Sequence, residues 1–244
     1  MIRGIQASGN ALGPAMLAQD AIANNLANAT STGFRQDRIA FERTFFQGGA
    51  ANAGGAATVE EAGGLAPRLR TAVDARPGPY DVTERKLDLA IQGEGWFVVE
   101  TPDGERYTRA GHFQLADDGT VVTSQGYPLL SEGGPVTLTG EEDFAIAPNG
   151  EVRVGTESRG RLRVAVFDGD PGLTHVGGGL FAAKGEPAAA ADAHVLQGVL
   201  EGSNVEPMQA LVEMLALTRH FEMNQKAFQA QDDALGTLLS WVRG

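Results

Sequence analysis

The stretch 203–242 carries the most restrictive pattern in this sequence, an apolar seam at alternating intervals of three and four residues. Such spacing places side chains on one face of an α-helix. Every seventh position of the seam is instead polar, at Thr218, Gln225 and Asp232. The apolar members are Leu211, Met214, Phe221, Phe228, Leu235, Leu239 and Val242. The pattern therefore predicts one long C-terminal helix.

The beginning of this helix is also marked in the sequence. Ser203 and Asn204 are good N-cap residue types, and Pro207 suits an early helical position. A helix from there to Val242 has roughly 35 residues and spans about 50 Å. Helices longer than ~25 residues usually belong to coiled coils, membrane spans or repeats. The polar seam positions favour a partner helix docked in a fixed register, and packing on the chain's own domain is the alternative.

The N-terminal stretch, from Ile2 to about Ala29, also shows helical spacing. Its apolar face consists of Ile5, Leu12, Met16, Ile22 and Leu26. An interior proline costs a helix about 3 kcal/mol, so Pro14 is expected at the start of a second helical segment or at a kink. We expect the helix to end between Asn28 and Gly33, where a glycine suits a left-handed cap.

Two Gly/Ala-rich runs, residues 47–65 and 177–193, separate the two ends from a central part with strand-like patterns. Short apolar runs there are joined by Asp-Gly or Asn-Gly pairs, the strongest local signal for hairpins. The predicted fold class is α+β. Long N- and C-terminal helices form a coiled-coil-like helical domain from residues 1–46 and 200–244. Residues 47–80 form a loop or extended linker, and residues 81–199 form an antiparallel all-β central domain.

Composition excludes several classes of function. The chain has 244 residues, a formal net charge of -12 and no basic cluster, so binding to nucleic acid is not expected. It has no cysteine, which excludes disulfides, thiolate metal sites and cysteine catalysis. The N-terminus shows no apolar core of a signal peptide, so no cleaved export signal is expected. Acidic and basic residues along the C-terminal helix exclude membrane insertion.

Motifs that would indicate an enzyme are absent from the sequence. The four histidines are scattered, and neither a nucleophile elbow nor a phosphate-binding loop occurs. Gly93 and Gly95 match the start of a dinucleotide fingerprint, but a strand-like run follows where a helix should begin. Adjacent acidic residues such as Glu141-Glu142 are typical of solvated turns. We therefore predict no enzymatic activity, no cofactor and no metal.

Three stretches carry a resemblance to a known family. Residues 22–34 (IANNLANATSTGF) closely resemble the signature of bacterial flagellar axial proteins, which form the rod and hook. Residues 201–207 (EGSNVEP) and the helix that follows resemble the C-terminal helix of this family. Residues 89–97 and 107–111 resemble its central domain. Within the family, residues 132–135, 198–205 and 219–223 look most like a proximal rod subunit, and a distal rod subunit is the runner-up.

The resemblance implies a structural subunit of the flagellar basal-body rod, which crosses the periplasm and transmits torque to the hook. Such subunits polymerise through their terminal helices with like and unlike rod subunits, and they leave the cytoplasm through the flagellar export apparatus. Ring proteins or peptidoglycan around the rod are further candidate partners. The residues expected to pack subunits are Ile22, Leu26, Leu211, Met214, Leu215, Phe221, Phe228, Leu235 and Leu239. Those expected to make polar contacts at the helix ends are Asn24, Asn25, Asn28, Ser203 and Asn204.

Two hypotheses of other classes remain at this point. One is a periplasmic carbohydrate-binding or polysaccharide-active β domain, for which Trp96, Tyr107 and Tyr127 are the central aromatic residues. The other is a periplasmic scaffold that never polymerises. An apolar seam at each end argues against the scaffold, because a monomer would leave part of it exposed.

Overall fold

The computed structural model describes residues 2–45, 65–138, 144–167, 172–189 and 194–243. The chain divides into two compact units. The first unit comprises residues 1–24, 37–72 and 211–244, and the second comprises residues 25–36 and 73–210. Each unit is therefore built from stretches that lie far apart in the sequence.

The first unit contains most of both helices and one two-stranded sheet. Its elements are α1 (Ile2–Ala27), β1 (Asp37–Phe45), β2 (Leu65–Val73) and α2 (Pro207–Arg243). Strand β2 lies within the predicted linker, whose residues 47–64 fall outside the described residues. Helix α1 is continuous through Pro14, so the second helical segment predicted there is not formed. Neither described helix is long and apolar enough to cross a membrane.

The predicted fold class is wrong in one essential respect. A helix is present near each end, but the described residues form two helices and nineteen strands, so the fold is mostly β. They show no coiled-coil-like domain made by the two helices. The physical reason lies in α2, where the seam residues Leu211 and Phe228 are 42% and 38% exposed. A seam covered by a partner helix would bury these side chains.

The second unit is an antiparallel β structure. Its strands are β3 (Tyr80–Val82), β4 (Leu89–Gln92), β5 (Trp96–Thr101), β6 (Gly104–Thr108), β7 (Gln114–Leu115), β8 (Val121–Val122), β9 (Leu130–Ser131), β10 (Gly134–Pro135), β11 (Phe144–Ile146), β12 (Glu151–Val154), β13 (Glu157–Arg161), β14 (Val164–Val166), β15 (Thr174–Gly177), β16 (Leu180–Ala182), β17 (Ala188–Ala189), β18 (His194–Gln197) and β19 (Val199–Glu201). The central β domain predicted from the sequence is confirmed.

Strand β5 is the centre of this unit because both of its faces are buried. It lies inside a six-stranded sheet with the order β15-β16-β6-β5-β14-β17. Phe97 and Val99 face one apolar cluster, whereas Trp96 and Val98 face the other. Successive side chains of a strand point to opposite faces, so one continuous apolar run supplies both cores.

Local turn chemistry sets the hairpins as the sequence predicts. Strands β5 and β6 pair antiparallel, as do β7 and β8, and β11 and β12. The glycines of the connecting Asp-Gly and Asn-Gly pairs, Gly104, Gly119 and Gly150, have φ values of 100°, 81° and 83°. Only glycine adopts this left-handed region without a steric cost.

Candidate functional site

The residues predicted to pack subunits lie on both helices, and most of them are partly accessible. Ile22 and Leu26 of α1, and Met214 and Phe221 of α2, are half-buried. Leu211, Leu215 and Phe228 are exposed. Leu235 and Leu239 lie in α2, but their side chains are outside the described part of the chain. Apolar side chains are thus available for contacts beyond the chain itself.

The three asparagines at the end of α1 make local contacts. Asn24 donates from Nδ2 to Oδ2 of Asp37, 3.3 Å away. Asn25 is only 2% exposed. The Oδ1 atom of Asn28 accepts a hydrogen bond from the Ser31 hydroxyl, 3.2 Å away, in the turn after the helix. These side chains therefore help to shape the exit from α1.

The predicted capping role of Ser203 and Asn204 is wrong, because α2 begins only at Pro207. Ser203 Oγ accepts a hydrogen bond from the backbone N–H of Val205, 3.2 Å away. Asn204 Oδ1 accepts from the backbone N–H of Gln36 at 2.7 Å. Its Nδ2 donates to the carbonyl oxygens of Asp74 and Arg76 at 3.1 and 2.9 Å. Asn204 therefore joins three stretches of backbone instead of capping a helix.

Arg35, Arg109 and Glu201 form a buried ion-pair cluster, here called the Arg–Glu cluster. Nη2 of Arg35 lies 2.6 Å from Oε1 of Glu201, and both side chains are 0% exposed. Nη1 of Arg109 lies 3.1 Å from Oε2 of Glu201. The backbone N–H of Gly78 also donates to Glu201 Oε1, at 3.1 Å. One carboxylate thus holds three segments that are remote in sequence.

The cluster contains two cations and one anion, so its second cation needs other partners. Arg109 donates from Nη1 to the carbonyl oxygen of Ile91 at 3.0 Å and from Nη2 to that of Gly93 at 2.6 Å. The guanidinium groups of Arg35 and Arg109 lie 6.0 and 5.6 Å from the centroid of the Trp96 ring. Burial lowers the pKa of Arg109, whereas the negative charge of Glu201 opposes this change. A ring face and backbone carbonyls thus share the excess positive charge.

Close backbone packing surrounds the cluster. The N–H of Gly33 donates to the carbonyl oxygen of Glu201 at 2.7 Å. Gly33 has a φ of 66°, and a Cβ atom there would lie 2.2 Å from the carbonyl carbon of Arg109. At Gly111, a Cβ atom would lie 1.5 Å from the carbonyl oxygen of Leu89. Glycine is therefore required where these segments cross.

The Arg–Glu cluster contains none of the residues predicted for the site. Each of its members does, however, lie in or beside one of the three stretches that carry the family resemblance. Arg35 follows residues 22–34, Arg109 lies within 107–111, and Glu201 begins 201–207. Arg109 is the one charged residue within 107–111, whereas residues 201–207 contain both Glu201 and Glu206, so charge alone did not single out the members of the cluster. Its pairing could not be deduced, because 166 positions separate Arg35 from Glu201.

The central aromatic residues do not support the carbohydrate-binding hypothesis. Trp96 and Tyr107 are each only 6% exposed, and both belong to the second apolar cluster. Tyr127 is half-buried against the first cluster. Sugar recognition would need accessible ring faces, which these residues do not offer. Among the described residues, no group of three or more His, Asp or Glu side chains is placed to hold a metal ion.

The geometry defines a β unit in which buried ion pairs hold the segment that leaves one helix and the segment that approaches another. Comparison with known protein families gives two matches. Residues 90–154 match the model of the flagellar hook protein FlgE/F/G D1 domain. Residues 196–240 match the C-terminal model of the flagellar basal body rod FlgEFG proteins. Two members of the Arg–Glu cluster, Arg109 and Glu201, lie inside these matches.

Individual relatives extend the match over most of the chain. The flagellar basal-body rod protein FlgF of Salmonella typhimurium is 34% identical, with 89% of each chain covered. FlgF of Escherichia coli is 35% identical, again with 89% of each chain covered. The rod protein FlgG of Bacillus subtilis is 31% identical, over 92% of this chain and 93% of the relative. The chain belongs to the flagellar FlgE/F/G family of rod and hook proteins.

Proposed function

We propose that this chain is a structural subunit of the bacterial flagellar basal-body rod and that it assembles with other rod subunits through its terminal helices. The observation that carries the mode of assembly is the exposure of apolar side chains along α2. Leu211 and Phe228 belong to one helical seam and are 42% and 38% exposed. Burial of such side chains against a neighbouring subunit gains roughly 25 cal/mol for each Å² removed from water.

The Arg–Glu cluster supports a mechanical role for the β unit. It holds the segment that leaves α1 and the segment that enters α2 within one packed unit. These ion pairs and the backbone crossings at Gly33 and Gly111 fix both segments within the β unit.

Within the rod we assign the proximal position. Residues 198–205 and 219–223 resemble the proximal subunit FlgF most closely. The FlgF relatives above are 34% and 35% identical to this chain, and two FlgG relatives, from Bacillus subtilis and Agrobacterium fabrum, are 31% and 32% identical. The distal position is the competing assignment. Immunoblotting for this chain in basal bodies from cells that lack the distal subunit decides between the two. A proximal subunit is retained in these particles, whereas a distal subunit is absent from them.

The proposed location is the periplasmic part of the basal body, reached through the flagellar export apparatus without cleavage of a signal peptide. Other rod subunits are the proposed partners, with ring proteins and peptidoglycan as neighbours. Mass spectrometry of the chain purified from basal bodies tests the export route, since an intact N-terminus is expected. A shortened N-terminus would overturn that part of the proposal.

Complementation tests the proposed assembly surface. The gene is deleted from the motile bacterium that encodes this chain, and the chain is supplied again from a plasmid. We expect the unaltered chain to restore swimming and to appear in purified basal bodies. The double variant L211Q/F228Q should do neither, because both substitutions make the seam polar. His220→Gln is the matched control, since His220 is exposed on α2 outside the seam.

The helical signal in the far-UV circular dichroism spectrum of each purified variant serves to check that α2 still forms. Absence of the unaltered chain from basal bodies would overturn the proposed function. Full restoration of swimming by L211Q/F228Q would instead show that another surface carries assembly.

A further inference from the structure

The two arginines of the Arg–Glu cluster have buried N–H groups that no described residue accepts. These groups are on Nε and Nη1 of Arg35 and on Nε of Arg109. The two side chains are 0% and 3% exposed, so bulk water does not reach them. Buried polar groups are nearly always hydrogen-bonded, and a charged donor without an acceptor is especially costly. The cluster therefore calls for a further acceptor.

The acceptors already described are engaged elsewhere. Oε1 of Glu201 accepts from Nη2 of Arg35 at 2.6 Å and from the N–H of Gly78 at 3.1 Å. Oε2 of Glu201 accepts from Nη1 of Arg109 at 3.1 Å. The Trp96 ring contacts both guanidinium groups, but a ring face offers no lone pair to an N–H group. These partners leave Nε and Nη1 of Arg35 unserved.

The charge of the cluster is also unbalanced, with two guanidinium groups around one carboxylate. Burial lowers the pKa of Arg109, the negative charge of Glu201 opposes this change, and the positive charge of Arg35 lowers the pKa further. The two cations therefore repel each other across the shared carboxylate. A buried charge is stable only when an opposite charge and hydrogen bonds compensate it. A second anion beside Arg35 would supply both.

We propose that the Arg–Glu cluster binds a monatomic anion, chloride under ordinary conditions, against the unpartnered N–H groups of the Arg35 guanidinium. Hydrogen bonds from a guanidinium to an anion are among the strong ones, because the donor is charged. A water molecule could accept one of these hydrogen bonds, but it would leave the positive charge uncompensated. The full burial of Arg35 favours a small ion over phosphate or an organic carboxylate.

Burial also determines how such an ion acts on the protein. Since the unpartnered nitrogens are inaccessible to solvent, the ion can exchange only when the cluster opens. A ligand that binds the folded state alone stabilises it in proportion to the logarithm of its concentration. The stability of the β unit therefore depends on chloride. This inference goes beyond the proposed function, because it concerns the single chain and does not depend on assembly.

Unfolding of the full chain by urea, which carries no charge, tests the proposal. Trp96 fluorescence in a Trp241→Phe background reports on the β unit. Sodium chloride is exchanged for sodium gluconate at constant ionic strength, because gluconate is too large for an enclosed site. Once chloride exceeds its dissociation constant, each tenfold rise in its concentration should lower the unfolding equilibrium constant roughly tenfold. Equal stability in the two salts would overturn the proposal.

Arg35→Met tests whether the dependence belongs to this site. The substitution removes the unpartnered donors and the excess positive charge, and it leaves Arg109 paired with Glu201. Its stability should be the same in chloride and gluconate. Arg163→Met is the matched control, since it breaks the exposed ion pair with Glu105 and should retain the dependence. A chloride dependence that persists in Arg35→Met would overturn the assignment to Arg35.

Bromide locates the ion without any substitution in the cluster, so the test does not require Arg35→Met to fold. In crystals of the full chain grown with sodium bromide, we expect an anomalous diffraction peak within hydrogen-bond distance of an Arg35 guanidinium nitrogen. No peak there would overturn the proposal. A peak without chloride-dependent stability would indicate an adventitious ion only and would also overturn it. None of these outcomes changes whether the chain appears in basal bodies, which tests the proposed function separately.

Discussion

Arg35 and Glu201 form an ion pair of 2.6 Å between side chains that are both fully buried, although 166 positions separate them in the sequence. The pair lies where the chain leaves α1 and approaches α2, and Arg109 from the β unit completes it. Buried charges need partners, since an isolated charge in a protein interior is strongly unfavourable. Both arginines therefore depend on Glu201, because their own charges repel each other.

Glu201→Gln should reduce the free energy of unfolding by about 3–5 kcal/mol, because it leaves two buried arginines without a counter-charge. Urea denaturation followed by Trp96 fluorescence in a Trp241→Phe background measures this loss. Glu105→Gln is the matched control, because Glu105 and Arg163 form an equally short ion pair that is 42% and 37% exposed. It should cost less than about 1 kcal/mol. Equal costs for the two variants would contradict the structural role of the cluster.

Gly33→Ala should destabilise the protein more than Gly126→Ala. Both glycines have positive φ, 66° and 86°, so both substitutions carry a backbone cost of about 1–2 kcal/mol. A Cβ atom at Gly126 meets nothing within 4 Å, whereas one at Gly33 lies 2.2 Å from the carbonyl carbon of Arg109. The difference between the two melting temperatures isolates this overlap. Indistinguishable values would mean that the crossing of segments at Gly33 is looser than described.

Asn204→Ala should cost about 1–3 kcal/mol, because the backbone N–H of Gln36 loses its acceptor. Two carbonyl oxygens lose a donor at the same time. Asn149→Ala is a suitable comparison, since Asn149 Oδ1 accepts from the Glu151 N–H at 3.0 Å in an exposed turn where water replaces the lost bond. Its cost should stay below about 0.5 kcal/mol. Protection of the Gln36 amide from hydrogen exchange should fall only in Asn204→Ala.

The hydroxyl of Tyr80 donates to the carbonyl oxygen of Ile91 at 3.0 Å, and burial raises the pKa of Tyr80, with a further increase from the negative charge of Glu201. The folded state therefore retains the phenol proton more tightly than the unfolded chain does. This contribution to stability is fully present below the ordinary tyrosine pKa of about 10 and is lost as the pH rises above it. Tyr80→Phe should make stability less sensitive to alkaline pH.

The same pKa reports on the cluster. Glu201→Gln should lower the pKa of Tyr80, as followed by ring resonances in an NMR titration. Glu105→Gln should instead lower the pKa of Tyr107, which burial and the charge of Glu105 raise. A Tyr80 titration that does not change in Glu201→Gln would show that Glu201 has no electrostatic influence on it.

Local patterns in the sequence predicted the two helices and several hairpins, but not strands β1 and β2, which lie within the stretches predicted as helical domain and linker. The three-and-four spacing of apolar residues predicted the C-terminal helix, and Pro207 does begin α2. Asp-Gly and Asn-Gly pairs predicted the hairpins β5–β6, β7–β8 and β11–β12. The motifs at residues 22–34 and 201–207 also led to the correct family. Each of these signals depends on residues close together in the chain.

The tertiary structure alone decided how those elements are used. Helical spacing shows that Leu211 and Phe228 share a face, but whether that face is covered depends on what packs against it, and in the single chain both remain exposed. Asn204 is a good N-cap residue by type, yet its side chain joins three backbone segments that only folding brings together. The buried pairing of Arg35 with Glu201 has no local signature, because an ion pair between distant residues depends on the path of the whole chain. The sequence by itself therefore determined the helices, the hairpins and the family, whereas long-range packing decided which side chains became the buried cluster and which stayed accessible for assembly.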